Sequence, residues 1–138
     1  MNFPQSVITG FRNFANSAGR ASRSEYWYWT LFTVVVDTLS LALDRLIFPD
    51  NAWGPIDIAT SLWLLLPSVA VSMRRLHDIN RTGRWVLLAV TIIGLVPLII
   101  WALRKGTDGD NDFGPDPLAD AISAAPATSE ASFIPPLR

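Results

Sequence analysis

Met73-Arg74-Arg75-Leu76-His77-Asp78-Ile79-Asn80-Arg81-Thr82-Gly83-Arg84-Trp85 separates two apolar runs, Leu62–Val71 and Val86–Leu103. Four of the chain's eleven basic residues and its only histidine fall in this turn. Segments that cross a bilayer keep Lys and Arg in their cytoplasmic loops, where anionic headgroups also hold them. The turn therefore predicts spanning helices on either side of it. It is also the best candidate for an anion or phosphate site.

Working outward, three apolar runs stand out: 26–46, 56–73 and 85–103, of 21, 18 and 19 residues. A spanning helix needs roughly 17–25 residues. The third run is free of charge between Val86 and Leu103, with Trp85 and Trp101 as interface anchors. The second contains Pro67, which spans tolerate when neighbouring groups satisfy the freed carbonyl. The first opens with Ser22-Arg23-Ser24-Glu25, a capping-box pattern, followed by Tyr26-Trp27-Tyr28-Trp29 at headgroup depth. Arg23, one turn before Trp27, is placed for a cation–π contact.

Three spans put the N-terminal segment and the Arg74–Arg84 turn on one side with seven Arg, against Arg45, Arg104 and Lys105 on the other. The charge rule then predicts a cytoplasmic N-terminus and a periplasmic C-terminus. Arg104-Lys105, directly abutting the third run, opposes that assignment.

Asp37 falls near the middle of the first run, where an ionised carboxylate costs about 2.5–3.5 kcal/mol on insertion scales. Thr30, Thr33, Asp37, Ser40 and Asp44 share its helix face, and Asp57, Thr60, Ser61, Ser68, Ser72 and Arg75 share one face of the second run. The two stripes predict an intramembrane seam of Asp37, Thr33, Ser40, Thr60, Ser61 and Ser68, with Asp37 level with Thr60–Leu64. Protonated packing glue is the plain role for Asp37; a proton or ion path is the sharper one.

In the basic turn, Arg75 and Asp78 pair if the second helix continues through His77. Arg74, Arg75, His77, Arg81 and Arg84 are the candidates for binding an anionic headgroup, since the guanidinium fork suits phosphate. No nucleophile or second base accompanies His77, so no catalytic residue is assigned. Asp108, Asp110 and Asp112 imitate a calcium loop, but Phe113 stands where glycine is expected and Ala119 where glutamate is. No metal or cofactor is expected.

The stretch Asn2–Ala18 carries Phe3, Val7, Phe11 and Phe14 at near-helical spacing and reads as an interfacial helix, interrupted by Pro4 and Gly10. Residues 118–138 turn to Ala, Ser, Thr and Pro without period and are expected to be a disordered tail, leaving 1–117 as the membrane domain. Residues 1–25 show no apolar h-region or cleavage site, so they are expected to be mature protein. Half the residues are apolar and 17% charged, and the net charge of −1 argues against nucleic acid as a partner. There is no cysteine, so disulfides and thiolate metal sites are excluded.

Three motifs coincide at the run boundaries: Gly19-Arg20-Ala21-Ser22-Arg23-Ser24-Glu25-Tyr26-Trp27, Arg74-Arg75-Leu76-His77-Asp78, and Gly106-x-x-Gly109-x-Asn111-x-Phe113-Gly114-Pro115-Asp116-Pro117. In this order they resemble the small bacterial inner-membrane family known as domain of unknown function 805, over about residues 3–117. The resemblance implies the bacterial cytoplasmic membrane and a compact helical body, and no reaction. It also implies that a shared function lies among Arg20, Glu25, Arg74, Arg75, His77, Asp78, Asn111 and Asp116. If the first two spans are antiparallel, Glu25 meets Arg74 or Arg75 at the mouth of the seam.

The sequence thus predicts an all-α integral membrane protein of three spans, not an enzyme. Its expected role is interaction or scaffolding, with a basic cytoplasmic face that binds anionic lipid or a membrane-protein partner, including a second copy. The alternatives are an oligomeric transport or proton-coupled subunit using Asp37, and a lipid-modifying enzyme centred on His77.

Overall fold

A computed structural model describes residues 2–119, and every regular element within them is helical. Helix α1 (Phe3–Arg12) starts at Asn2, whose side chain accepts from the Gln5 amide while Gln5 reaches back to the Asn2 amide. Pro4 falls in its first turn, where a missing N–H leaves no bond broken. Gly10 is buried against Trp29, with no space for a Cβ beside the indole. The two residues that looked like interruptions therefore start the helix and let it dock. Phe11 meets Trp29 edge-on at 5.2 Å and leans on Phe32 and Trp63, so α1 lies across the bundle.

Helix α2 (Arg23–Ile47) and helix α3 (Pro55–Asp78) form an antiparallel pair, each extending beyond the apolar run that announced it. Their polar stripes face one another as the spacing predicts. Trp29 Nε1 donates to Ser68 at 3.1 Å, Ser61 to Asp37 at 3.4 Å, and Ser40 lies 3.1 Å from the Thr60 hydroxyl. Thr33 instead donates to the Thr30 carbonyl of its own helix. At the far end the buried Asp44 carboxylate accepts from the Ile56 and Asp57 amides at 3.0 and 2.7 Å, capping α3 from another helix. Gly54 precedes that cap at φ 55°, a conformation disfavoured for other residues. Pro67 sits inside α3 without ending it.

Among the described residues only α3 is long and apolar enough, by length and composition, to cross a bilayer. α2 matches its length but carries Asp37 in mid-helix and Asp44-Arg45 near its end.

The third run is not the single helix that its hydropathy predicts. It folds as a 3-10 helix, Gly83–Val90, and then helix α4, Ile92–Leu103, with extended backbone at Thr91 (φ −110°, ψ 137°) between them. Four β-branched residues, Val90-Thr91-Ile92-Ile93, favour that extended break. Thr91 then caps α4 by accepting from the Gly94 amide, and Gly94 is packed so close to the Leu88 carbonyl that a Cβ would collide with it. Eight residues of 3-10 helix rise about 16 Å and twelve of α-helix about 18 Å, so the legs match. Trp85 and Trp101 accordingly meet at 5.7 Å. The run is a hairpin that returns to the face it left.

This changes the sidedness expected from the sequence. The Thr107 amide donates to the Asp78 carbonyl at 2.8 Å, and Arg20 Nη1 to the Gly109 carbonyl at 2.6 Å. Residues in contact cannot lie across a hydrocarbon core of about 30 Å. The segment 106–117 therefore shares the end of the molecule that holds Arg20 and the basic turn. The tail expected over 118–138 falls outside the described residues, except for Leu118 and Ala119.

Large apolar side chains cover the outside of the bundle, and the hairpin tip is the extreme: Val90, Ile92 and Ile93 are each 86% exposed. So continuous an apolar surface marks contact with lipid or another protein. The interior is correspondingly small, centred on Trp29, Leu64 and Val71.

Candidate functional site

The N-terminus of α2, the C-terminus of α3 and the end of α4 meet at one face, and the three sequence motifs meet there with them. Asp78 is the hub. Its carboxylate accepts from Arg20 Nε at 3.1 Å and from Arg75 Nη1, so it serves two cations. Arg20 continues to the carbonyls of Gly109 and Thr107, tying the 106–117 loop down. Arg75 Nη2 donates to the carbonyls of Ala102 and Arg104. These are the orphan acceptors at the end of α4, where a cation also meets the favourable end of the helix dipole.

One turn away, Arg74 Nη1 donates to Glu25 Oε1 at 2.9 Å. Glu25 is thereby only half a capping box: Ser22 accepts from its amide at 3.2 Å, but its carboxylate turns to Arg74. The Ala21 amide donates to the Arg74 carbonyl at 3.0 Å, fastening the segment before α2 to α3. All five charged side chains are buried, Glu25 and Arg75 to 2% exposure. Buried charges persist when paired and hydrogen-bonded. Here the pairing is incomplete: among the described residues Arg74 Nε and Nη2 and Arg75 Nε have no partner.

A second layer surrounds the hub. His77 Nδ1 is 3.1 Å from the Gly19 carbonyl, and its ring stacks on Phe113 at 4.2 Å. Asn111 donates to the His77 carbonyl at 2.9 Å and accepts from the Phe113 amide. Asp116 accepts from the amides of Leu118 and Gly109, which hold its carboxyl below the ordinary carboxylate value. Asp110 accepts from the Asp116 amide and Asp108 pairs with Lys105 at the surface, an interaction that raises the Lys105 ammonium. These aspartates thus shape the loop instead of converging on a cation.

The anion-binding candidates divide accordingly. Arg74 and Arg75 are buried against Glu25 and Asp78 and do not present their guanidinium groups to the outer surface. His77 is engaged at its Nδ1 edge by the Gly19 carbonyl and on one ring face by Phe113. Arg81 lies 4.4 Å over the Trp101 ring, the cation–π contact expected instead at Arg23–Trp27. Arg84 is exposed, as are Arg23, Arg104 and Lys105. Sequence reasoning missed Gly106, whose Cβ would fall on the Asp78 carboxylate, and Asp44, read only as one member of a polar stripe.

Residues 14–115 match the model of a family described as "Protein of unknown function (DUF805)". The inner membrane protein YhaH of Escherichia coli K12 is 37% identical over 109 residues, covering 77% of this chain and 90% of the relative. The inner membrane protein YhaI of the same strain is 33% identical over 114 residues, 82% of this chain and 95% of the relative. No solved structure matches. The chain belongs to this family of membrane proteins of unknown function.

Proposed function

We propose that this member of the family is an interaction or scaffold protein of the bacterial inner membrane, with its cationic end in the cytoplasm against anionic headgroups. In this reading α2 and α3 cross the bilayer together, because every seam contact of α2 is made to α3. The hairpin enters from the cytoplasmic side, its roughly 18 Å legs reaching about half-way through a core of about 30 Å.

The observation that carries the reading is the charge distribution. Arg20, Arg23, Arg74, Arg75, Arg81, Arg84, Arg104 and Lys105 lie at the end shared by the three motifs, outnumbering Glu25, Asp78, Asp108, Asp110, Asp112 and Asp116 there by two, whereas Arg45 lies at the other end with Asp44, Asp50 and Asp57. The hairpin brings Arg104-Lys105, the residues that opposed the three-span assignment, to the cationic side. The buried cluster shapes this face, and the exposed Arg23, Arg84, Arg104 and Lys105 present it. Each basic residue at an anionic surface contributes about 1 kcal/mol.

The test is lipid retention. Protein extracted in mild detergent should carry phosphatidylglycerol or cardiolipin, and replacing Arg23, Arg84, Arg104 and Lys105 by Gln should strip most of it while the fold survives. Unchanged lipid content would overturn the headgroup reading.

A second reading, an oligomeric proton-coupled subunit, rests on Asp37, half-buried in mid-helix with Ser61 as its partner. Asp37→Asn should abolish such a function without altering lipid retention.

A further inference from the structure

Between α3 and the two legs of the hairpin lies a cavity of about 140 Å³. Its walls are aliphatic, including Val86, Leu95 and Ile99, and its polar groups are Tyr26, Ser72 and Arg75. The volume is close to the roughly 150 Å³ of apolar cavities that admit benzene. That is enough for a stretch of hydrocarbon chain. One wall is unlike the others: Arg75 is 2% exposed, and its Nε has no hydrogen-bond partner among the described residues. A buried donor without a partner is destabilising, more so when the group is charged. The corner is also short of negative charge, since Arg75 shares the Asp78 carboxylate with Arg20.

We propose that this cavity is a binding site for an acyl chain bearing an oxyanion, with Arg75 receiving the oxyanion and the hairpin legs enclosing the first part of the chain. The hydrocarbon lining excludes a purely polar ligand, and the unpartnered guanidinium N–H selects against a neutral one. Burial of the exchange partners makes the interaction stronger than the same contact at the surface. The site is separate from the exposed cationic face. Headgroups there meet Arg84 and Lys105 from outside, whereas this ligand enters between the hairpin and α3. The proposal therefore stands or falls independently of the interaction reading above.

Two sources supply the chemistry, a free long-chain carboxylic acid or an anionic phospholipid. The experiment is native mass spectrometry of the full chain in detergent, offered in turn hexadecanoic acid, hexadecanol and phosphatidylglycerol. The acid or the phospholipid should bind about tenfold or more tightly than the alcohol, the scale of one hydrogen bond to a charged group. Ala89 lines the cavity, so Ala89→Phe places a larger apolar side chain at its wall. That variant should keep its melting temperature and lose the ligand. Because phospholipid also meets the exposed face, phospholipid binding is read in the Arg23/Arg84/Arg104/Lys105→Gln variant, which should keep the cavity ligand, with and without Ala89→Phe. Acid binding alone identifies a free fatty acid, and phospholipid binding alone identifies a bilayer lipid; each supports the site if Ala89→Phe abolishes it. Equal binding of acid and alcohol, binding that survives Ala89→Phe in a folded protein, or no binding by any of the three overturns it.

Discussion

Asp78 accepts from Arg20 and Arg75 at once, and Gly106 passes so near that a methyl group would fall on its carboxylate. Gly106→Ala should therefore destabilise by about 1–3 kcal/mol, the cost of overpacking a filled site. The measurement is thermal unfolding of the detergent-solubilised protein. The Glu25–Arg74 pair makes a sharper test. Arg74→Met alone strands the buried Glu25 carboxylate and should cost about 3–5 kcal/mol, whereas Glu25→Leu with Arg74→Met should recover most of that loss. If the double variant is as unstable as the two single losses added, the pair is not the stabilising unit. Arg20, Glu25, Asp78, Asn111 and Asp116 were legible in the sequence as motif residues because charged and amide side chains announce themselves. The packing roles of Gly106, which opens the third motif, and of Gly10 were not. A glycine that permits close approach looks, in one sequence, the same as a glycine that breaks a helix.

Two helix ends in this protein are closed by side chains from other helices. Asp44 of α2 caps the start of α3, and Arg75 of α3 caps the end of α4. Asp44→Ala should cost about 0.5–2 kcal/mol through loss of the cap, and Asp44→Asn, which keeps an acceptor, substantially less. Equal losses in both variants, followed by circular dichroism on heating, would assign the effect to charge and not to capping. The element most misjudged from sequence is the third run. Nineteen apolar residues satisfy a straight span and a two-legged hairpin equally, because hydropathy reports the solvent of a segment and not its direction. What decides between them is local: four β-branched residues in a row, then Gly94, whose hydrogen allows contact with Leu88. Gly94→Val should force the legs apart. The separation of Trp85 from Trp101 reports that opening, and their mutual quenching should fall. The α2–α3 seam was easier to foresee, since period put polar stripes on facing sides of the two helices and counting from their ends set Asp37 level with Thr60–Leu64; the individual pairs, Asp37 with Ser61 and Ser40 with Thr60, are set by the packing.

At the scale of the whole molecule, sidedness follows from where the hairpin ends. A third span carries 106–117 to the face opposite the basic turn and divides the cations. A hairpin returns them to one face, as the contacts of Arg20 and Asp78 with that loop require. The two arrangements differ in a single observable, and the absence of native cysteine makes it clean. Single cysteines at Asn51, Thr82 and Thr107, all exposed, would be labelled in intact cells with a membrane-impermeant maleimide. With α2 and α3 crossing and the cationic end inside, Asn51 should react while Thr82 and Thr107 stay dark until the membrane is opened. Labelling of Thr107 together with Asn51 would restore a third crossing and break the cluster into two faces. Labelling of Thr82 and Thr107 without Asn51 would keep the hairpin but invert the protein. The cationic face would then meet the periplasmic leaflet, against a charge distribution in which cytoplasmic loops hold the excess of Lys and Arg.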